Sequence, residues 1–227
     1  MTVTRSRRRG PAVVLVVLLA AVCYGAVRAA GGLPSGSAPR PVPAVPSPSP
    51  ASPTAPARPS ATATAGPYDP ADQAAQVRLR AGQAGVSARL LMAILYNESY
   101  KPHEPGLERA WQKYKPDAAF GIANMHRATY DATKKDRDFA NRSWDELPDD
   151  RDLAVEAAAW YLHDLAAVLP AQWAGPYSRN DLLALGYNTG QGNMLAFARG
   201  ATPGSQARSY LDELHAHWTE AGRAVGS

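Results

Sequence analysis

The chain has 227 residues, of which 19% are charged and 45% are hydrophobic, and its formal net charge is +4. Residues 1–66 contain seven arginines and no acidic residue, whereas the remainder contains 17 basic and 20 acidic residues. A nucleic-acid-binding domain carries its excess of lysine and arginine on its folded part. The charge distribution therefore argues against nucleic acid as a partner.

The N-terminus has the order of an export signal. Four arginines lie within residues 5–9, and residues 12–27 are free of charge, as in the basic and apolar regions of a signal peptide. The apolar run is short for a membrane span, which needs about 20 residues, although roughly 17 can suffice. We therefore predict that residues 1–30 are a signal peptide or a membrane anchor, and that the rest of the chain is exported.

Residues 31–66 are dominated by proline, alanine, serine and threonine. Such a composition cannot bury a core, and it predicts a disordered, semi-rigid linker. At about 3.1 Å per residue, the linker can reach on the order of 100 Å. A spacer of this length suits a target that lies away from the membrane.

From residue 67 to residue 227 the signals are helical. A first helix is predicted after Asp69 and Pro70, ending at Gly82 or Gly85, and Ser87 caps the next. A polar loop is expected over residues 99–120 and a helical stretch after Gly121. Further helices are predicted over residues 150–169, after an Asn180 cap, and over residues 205–223. The absence of strand alternation predicts a mainly α domain of about 160 residues, which we expect to be a monomer.

Glu98 ends an apolar helix. It lies seven residues after Leu91, four after Ile94 and three after Leu95, so it belongs to the same helix face. Burial of a carboxyl group raises its pKa, which suits a proton donor near neutral pH. The alternative is a glutamate at a helix end that turns to solvent or pairs with a basic side chain.

Four sequence blocks occur in a recognisable order. They are the apolar helix ending in ES at 98–99, GIAN at 121–124, AWYL at 159–162 and GYNTGQGN at 186–193. Together they resemble the conserved blocks of the SLT-type lytic transglycosylases, a family of the lysozyme-like superfamily. The resemblance spans roughly residues 87–200 and implies a lysozyme-like helical domain.

The resemblance also implies roles for individual residues. Glu98 matches the catalytic acid of the family, and Tyr187 matches a tyrosine whose hydroxyl lies near that acid. The positions that match substrate-binding or supporting residues are Ser99, Gly121, Ile122, Asn124 and Asn188.

Three positions depart from the family pattern. Asn124 stands where the family has glutamine and Ala123 where it has methionine, so the cleft wall is smaller here. Gly186 replaces an alanine, a change from which we expect little effect.

A lytic transglycosylase, as the resemblance implies, cleaves the glycan strands of peptidoglycan between N-acetylmuramic acid and N-acetylglucosamine, forming a 1,6-anhydro end. Glu98 would first protonate the glycosidic oxygen and then, as a carboxylate, accept the proton of the 6-hydroxyl. Tyr187 would orient the carboxyl group or the substrate by hydrogen bonding. This function places the exported domain next to the cell wall, anchored to the membrane or secreted.

Two other functions remain open. A hydrolytic muramidase needs a second carboxylate to activate water, for which Glu104, Glu108 and Asp117 are candidates. A non-catalytic protein that binds or scaffolds the cell wall would retain the cleft without turnover.

We expect neither a cofactor nor a metal. His215 and His217 are two residues apart and therefore point to different sides of a helix. Two aromatic residues of the loop, Trp111 and Tyr114, either stack on sugar rings or fill a core or rim.

Overall fold

The computed structural model describes residues 68–227. The predicted signal or anchor segment, with the single cysteine Cys23, and the predicted linker lie outside the described residues. Within residues 68–227 no helix is both long and apolar enough to cross a membrane.

The described part of the chain is mainly α, as predicted, and contains no β-strand. Two 3-10 turns lie at Pro70–Gln73 and Trp144–Glu146. The eight α-helices are α1 Ala74–Ala84, α2 Ala88–Glu98, α3 Pro105–Gln112, α4 Arg127–Thr133, α5 Arg151–Val168, α6 Arg179–Thr189, α7 Gln191–Ala198 and α8 Ser205–Val225.

Helix α2 is the centre of the core. Its six consecutive residues from Leu90 to Leu95 are fully buried, so the helix is enclosed on all sides and not only on the predicted face. A helix that is apolar all round is stable only inside a protein. The Ser87 hydroxyl caps it as predicted, accepting a hydrogen bond from the Leu90 amide at 3.2 Å. Enclosure of α2 carries the polar residues at its end, Asn97 and Glu98, into the interior.

Helices α8, α1 and α6 pack against α2. Helix α8 packs along α2, α1 packs on α5, and α6 contacts both α7 and α8. The pair formed by α1 and α5 includes a buried ionic cluster, in which the Arg80 guanidinium binds the carboxylates of Asp152 and Glu156. Because α8 packs along α2, this last helix covers one side of the core.

Several helix limits differ from the predicted ones. The polar segment 99–120 contains α3, and residues 191–198 form α7. Ser178, and not Asn180, caps α6, because its side chain and that of Asp181 form reciprocal hydrogen bonds with each other's backbone amides.

Candidate functional site

The carboxyl group of Glu98 lies at the C-terminal end of α2 and is held by two side chains. The Tyr210 hydroxyl donates to Oε1 at 3.1 Å, and the Asn124 amide donates to Oε2 at 2.8 Å. Glu98 is only 8% exposed. The glutamate therefore neither turns to solvent nor pairs with a basic side chain, and the alternative given above is wrong.

Burial raises the pKa of the Glu98 carboxyl group. The hydrogen bonds from Asn124 and Tyr210 and the charges of Lys101 and His103 oppose this shift without cancelling it. Burial also raises the pKa of the Tyr210 hydroxyl well above its usual value, and the nearby Glu98 charge adds to the shift. Tyr210 therefore remains a neutral hydrogen-bond donor while Glu98 gains or loses its proton.

A tight turn at residues 121–124 supplies Asn124. Phe120 and Met125 exchange two backbone hydrogen bonds on either side of the turn, at 3.1 and 3.0 Å. Gly121 and Asn124 both have positive φ angles, 67° and 45°, and such strain in a non-glycine residue is typical of functional sites. A helix cannot include these conformations, which explains why α4 begins at Arg127 and not directly after Gly121.

The four sequence blocks contact one another, and three of them meet at this turn. The second block contacts the first through the Asn124–Glu98 hydrogen bond. It contacts the fourth through the Tyr187 hydroxyl, which donates to the Ala123 carbonyl at 2.7 Å. The Tyr187 ring packs against that of Tyr161 in the third block, with 5.5 Å between ring centroids.

Tyr187 therefore makes a different hydrogen bond from the predicted one. A tyrosine hydroxyl has a single hydrogen to donate, and that of Tyr187 is directed to Ala123, while Tyr210 donates to Glu98. Tyr187 still lies within the electrostatic influence of the acid, because the Glu98 charge adds to the effect of burial in raising the pKa of Tyr187. It holds the turn that carries Asn124.

No protein-family model, curated protein or solved structure matches this chain.

The remaining predicted site residues have varied surroundings. The Ser99 hydroxyl donates to the Tyr96 carbonyl at 2.6 Å and so closes the end of α2. Ile122 is buried within the turn, whereas Asn188 is exposed on α6. Of these three residues, Asn188 is the most exposed.

Gly186 is required by close packing. A Cβ atom at this position would lie 2.8 Å from the Met194 sulfur, 3.1 Å from the Met194 Cβ and 3.2 Å from a Leu165 methyl group. An added methyl group would therefore require the Met194 side chain to move, so we now expect a larger effect of the glycine than the sequence predicts. The absence of a side chain lets α7 approach α6 just before Tyr187.

Three side chains between α2 and the turn complete the surroundings of Glu98. The Lys101 ammonium donates to Asn124 Oδ1 at 2.8 Å, and burial lowers its pKa. The His103 ring contacts the Glu98 backbone carbonyl at 2.8 Å and the Glu108 carboxylate at 3.0 Å. The loop after α2 is thus part of the site.

Helix α3 lies beside the site and has no buried residue. Trp111 and Tyr114 are exposed, so they do not fill a core. An open groove of about 660 Å³ runs along this region and is lined by Arg109, Gln112, Lys113, Pro116, Asp117 and Arg127. Within residues 68–227 no group of three or more His, Cys, Asp or Glu side chains is arranged to hold a metal ion.

Sequence reasoning missed Tyr210, Lys101 and His103. Tyr210 lies in the helix predicted over residues 205–223, where its spacing to Leu211, Leu214 and Trp218 indicates only an apolar face. A signal was present, because a buried tyrosine hydroxyl normally finds a hydrogen-bond partner.

Proposed function

We propose that the protein is a peptidoglycan lytic transglycosylase in which Glu98 acts as acid and then as base. The proposal is carried by a series of contacts that joins the four sequence blocks to one another and that includes one buried carboxyl group with a raised pKa. A carboxyl group in this state is protonated at a higher pH than an exposed one, which suits protonation of a glycosidic oxygen.

Two hydrogen-bond donors favour the second half of the reaction. Once Glu98 has given up its proton, the Tyr210 hydroxyl and the Asn124 amide stabilise the carboxylate. The carboxylate then accepts the proton of the sugar 6-hydroxyl as the anhydro ring closes. The lysozyme-like fold belongs to this proposal and rests on the same four blocks.

The state of Glu108 favours the lyase over the hydrolase. Its Oε1 faces the His103 ring, and its Oε2 accepts the Gly121 amide hydrogen at 2.9 Å. Glu108 therefore has a structural role at the turn, and its placement needs no role in activating water to explain it. The other two candidate carboxylates, Glu104 and Asp117, belong to exposed residues.

Product analysis distinguishes the functions. The full chain is incubated with purified peptidoglycan and the soluble products are weighed by mass spectrometry. Anhydro-muramic ends support the lyase, reducing ends support the muramidase, and wall binding without products supports a scaffold.

A Glu98→Gln variant tests the site assignment. We expect its activity to fall by about 10²–10⁴-fold, the usual contribution of a general acid–base group. The matched control is Glu213→Gln, which changes an exposed glutamate of α8 and should leave activity intact. Full activity of Glu98→Gln would refute the assignment.

A further inference from the structure

His103 is a buried histidine between two hydrogen-bond acceptors. It is 3% exposed and has a positive φ of 45°. Its Nε2 lies 2.8 Å from the Glu98 backbone oxygen, and its Nδ1 lies 3.0 Å from Glu108 Oε1. The second oxygen of Glu108 accepts the Gly121 amide hydrogen. A continuous chain of hydrogen bonds therefore joins the end of α2 to the turn at 121–124.

The hydrogen-bond count of this chain is compatible with a doubly protonated His103 ring. A backbone carbonyl and an ionised carboxylate only accept hydrogen bonds, whereas a neutral imidazole has a single N–H to donate. Two bonds to two acceptors require two hydrogens. The contacts of His103 are therefore both satisfied when the ring is an imidazolium and Glu108 is a carboxylate.

We propose that His103 is a positioning residue, which as an imidazolium paired with Glu108 holds the Glu98 backbone and the turn at 121–124 in one arrangement. The inference deepens the proposed function, on which its catalytic consequence rests. The Glu98 carbonyl also accepts a hydrogen bond from the Asn124 amide at 3.2 Å. Fixing that carbonyl and Gly121 fixes both Glu98 and the side chain that donates to its carboxyl group.

His103 lies at the C-terminal end of α2 among several charged groups. Its Nε2 binds the last carbonyl of α2, and the C-terminus of a helix attracts cations. The charged groups around the ring are the carboxylates of Glu98 and Glu108 and the Lys101 ammonium, which acts on both carboxylates.

On the remaining side, the Tyr68 ring meets the His103 ring edge-on, with 5.1 Å between the ring centroids. The Arg151 guanidinium lies over the Tyr68 ring. The direct polar partners of His103 are therefore both acceptors, and the cations lie further away.

Nitrogen NMR of the full chain labelled in its five histidines tests the charge state without an activity assay. We expect His103 to show two protonated ring nitrogens at pH 7. The internal comparison is His163, whose Nδ1 faces one backbone carbonyl, that of Ala84, at 2.7 Å. A neutral His103 ring at pH 7 would overturn the proposal.

Two substitutions of Glu108 separate hydrogen bonding from charge. Glu108→Gln keeps an oxygen for the Gly121 amide and offers an NH2 group to Nδ1, so a neutral His103 ring can keep both of its bonds. Glu108→Ala removes both contacts. We expect the Gly121 amide to be protected from hydrogen exchange in the wild type and in Glu108→Gln, but to lose protection in Glu108→Ala.

The same pair of variants has a kinetic readout. We expect Glu108→Ala to lower kcat by more than about tenfold, the scale on which misplaced catalytic groups act, with a smaller change in KM. Glu108→Gln should recover most of that loss. If the Gly121 amide stays protected in Glu108→Gln while kcat falls as far as in Glu108→Ala, the loss is not one of positioning and the positioning role is refuted.

The two proposals fail in different ways. A wild-type chain without products from peptidoglycan would refute the proposed function. The NMR spectrum and the exchange of the Gly121 amide would still decide whether His103 holds the turn.

Discussion

The charged form of the Glu98 carboxyl group is destabilised by burial, and its pKa is accordingly raised. The partners that limit this destabilisation come from the turn at 121–124 and from α8. Burial therefore disfavours the ionised form of Glu98, while the two hydrogen-bond donors stabilise it.

The free energy of unfolding should depend on pH because the pKa of Glu98 is raised. A carboxyl group whose pKa is raised by folding stabilises the native state below its unfolded pKa, about 4.3, and this stabilisation is lost as the pH rises through the folded pKa. Glu98→Gln removes the charge and keeps the shape, and the Tyr210 hydroxyl can rotate to accept from the new amide. We expect the variant to be more stable than the wild type at pH 7, with a difference that shrinks towards pH 4.

Urea denaturation between pH 4 and pH 8 measures this difference, with Glu213→Gln as the exposed control. A Glu98→Gln variant that is less stable than the wild type at pH 7 but not at pH 4 would show that the site favours the charged form.

Tyr210→Phe tests the hydrogen bond to Oε1. Hydrogen bonds to charged groups contribute about 1.5–3 kcal/mol, so loss of this donor should lower kcat by roughly 10- to 150-fold. The basic limb of the pH–rate profile should move to higher pH, because the hydrogen bond from Tyr210 lowers the pKa of Glu98.

Tyr130→Phe is a matched control for this variant. Tyr130 is fully buried, and its hydroxyl has no hydrogen-bond partner among the described residues. Its loss should leave activity and stability nearly unchanged. Equal effects of the two substitutions would show that Tyr210 acts through packing alone.

At the scale of the element, the contact between α6 and α7 depends on Gly186. Alanine is favoured over glycine in a helix by about 1 kcal/mol, but overpacking a core costs about 1–3 kcal/mol. We therefore expect Gly186→Ala to lower the free energy of unfolding by roughly 1 kcal/mol, as measured by urea denaturation.

Two further variants isolate the cause. In Gly82→Ala no atom lies within 4 Å of the new Cβ, so this substitution in α1 should be neutral or stabilising. In a Met194→Ala background, the penalty of Gly186→Ala should shrink, since contacting residues are coupled. An unchanged penalty would exclude the Met194 contact as its source.

The predictability of each element from sequence follows from how local its determinants are. The limits of α2 and α5 were predicted because Ser87 and Asp150 cap them through bonds to residues three positions away. Helix α3 was missed because it has only eight residues and begins at a proline within a polar segment. Leu107, Ala110 and Trp111 do lie at helical spacing, but none of them is buried.

The site divides in the same way. The burial of Glu98 was predicted, because the apolar helix that carries it is continuous in sequence. Tyr210 was not, because it lies 112 residues away and reaches Glu98 only through the packing of α8 on α2.

At the scale of the whole molecule, the Arg80 cluster joins α1 to α5. Arg80 and Glu156 are both buried, and removing one partner of a buried ion pair costs about 3–5 kcal/mol. We expect Arg80→Met to lower the free energy of unfolding by about this amount. A loss below 1 kcal/mol would show that the cluster is effectively solvated.

The exposed Arg127–Asp145 pair, at 3.0 Å, provides the comparison. Surface pairs contribute about 0–1 kcal/mol, so Arg127→Met should change the free energy of unfolding by no more than this. The two variants remove the same charge from sites that differ chiefly in burial.

The placement of Tyr210 on α8 has a consequence for synthesis. Residues 98, 124 and 187 all precede α8, so a growing chain contains the acid, the turn and Tyr187 before it contains the helix that closes the core. Until α8 packs on α2, Glu98 lacks the second of its two donors, the Tyr210 hydroxyl. The hydrogen bonds of the Glu98 carboxyl group can therefore be completed only after translation has passed residue 210.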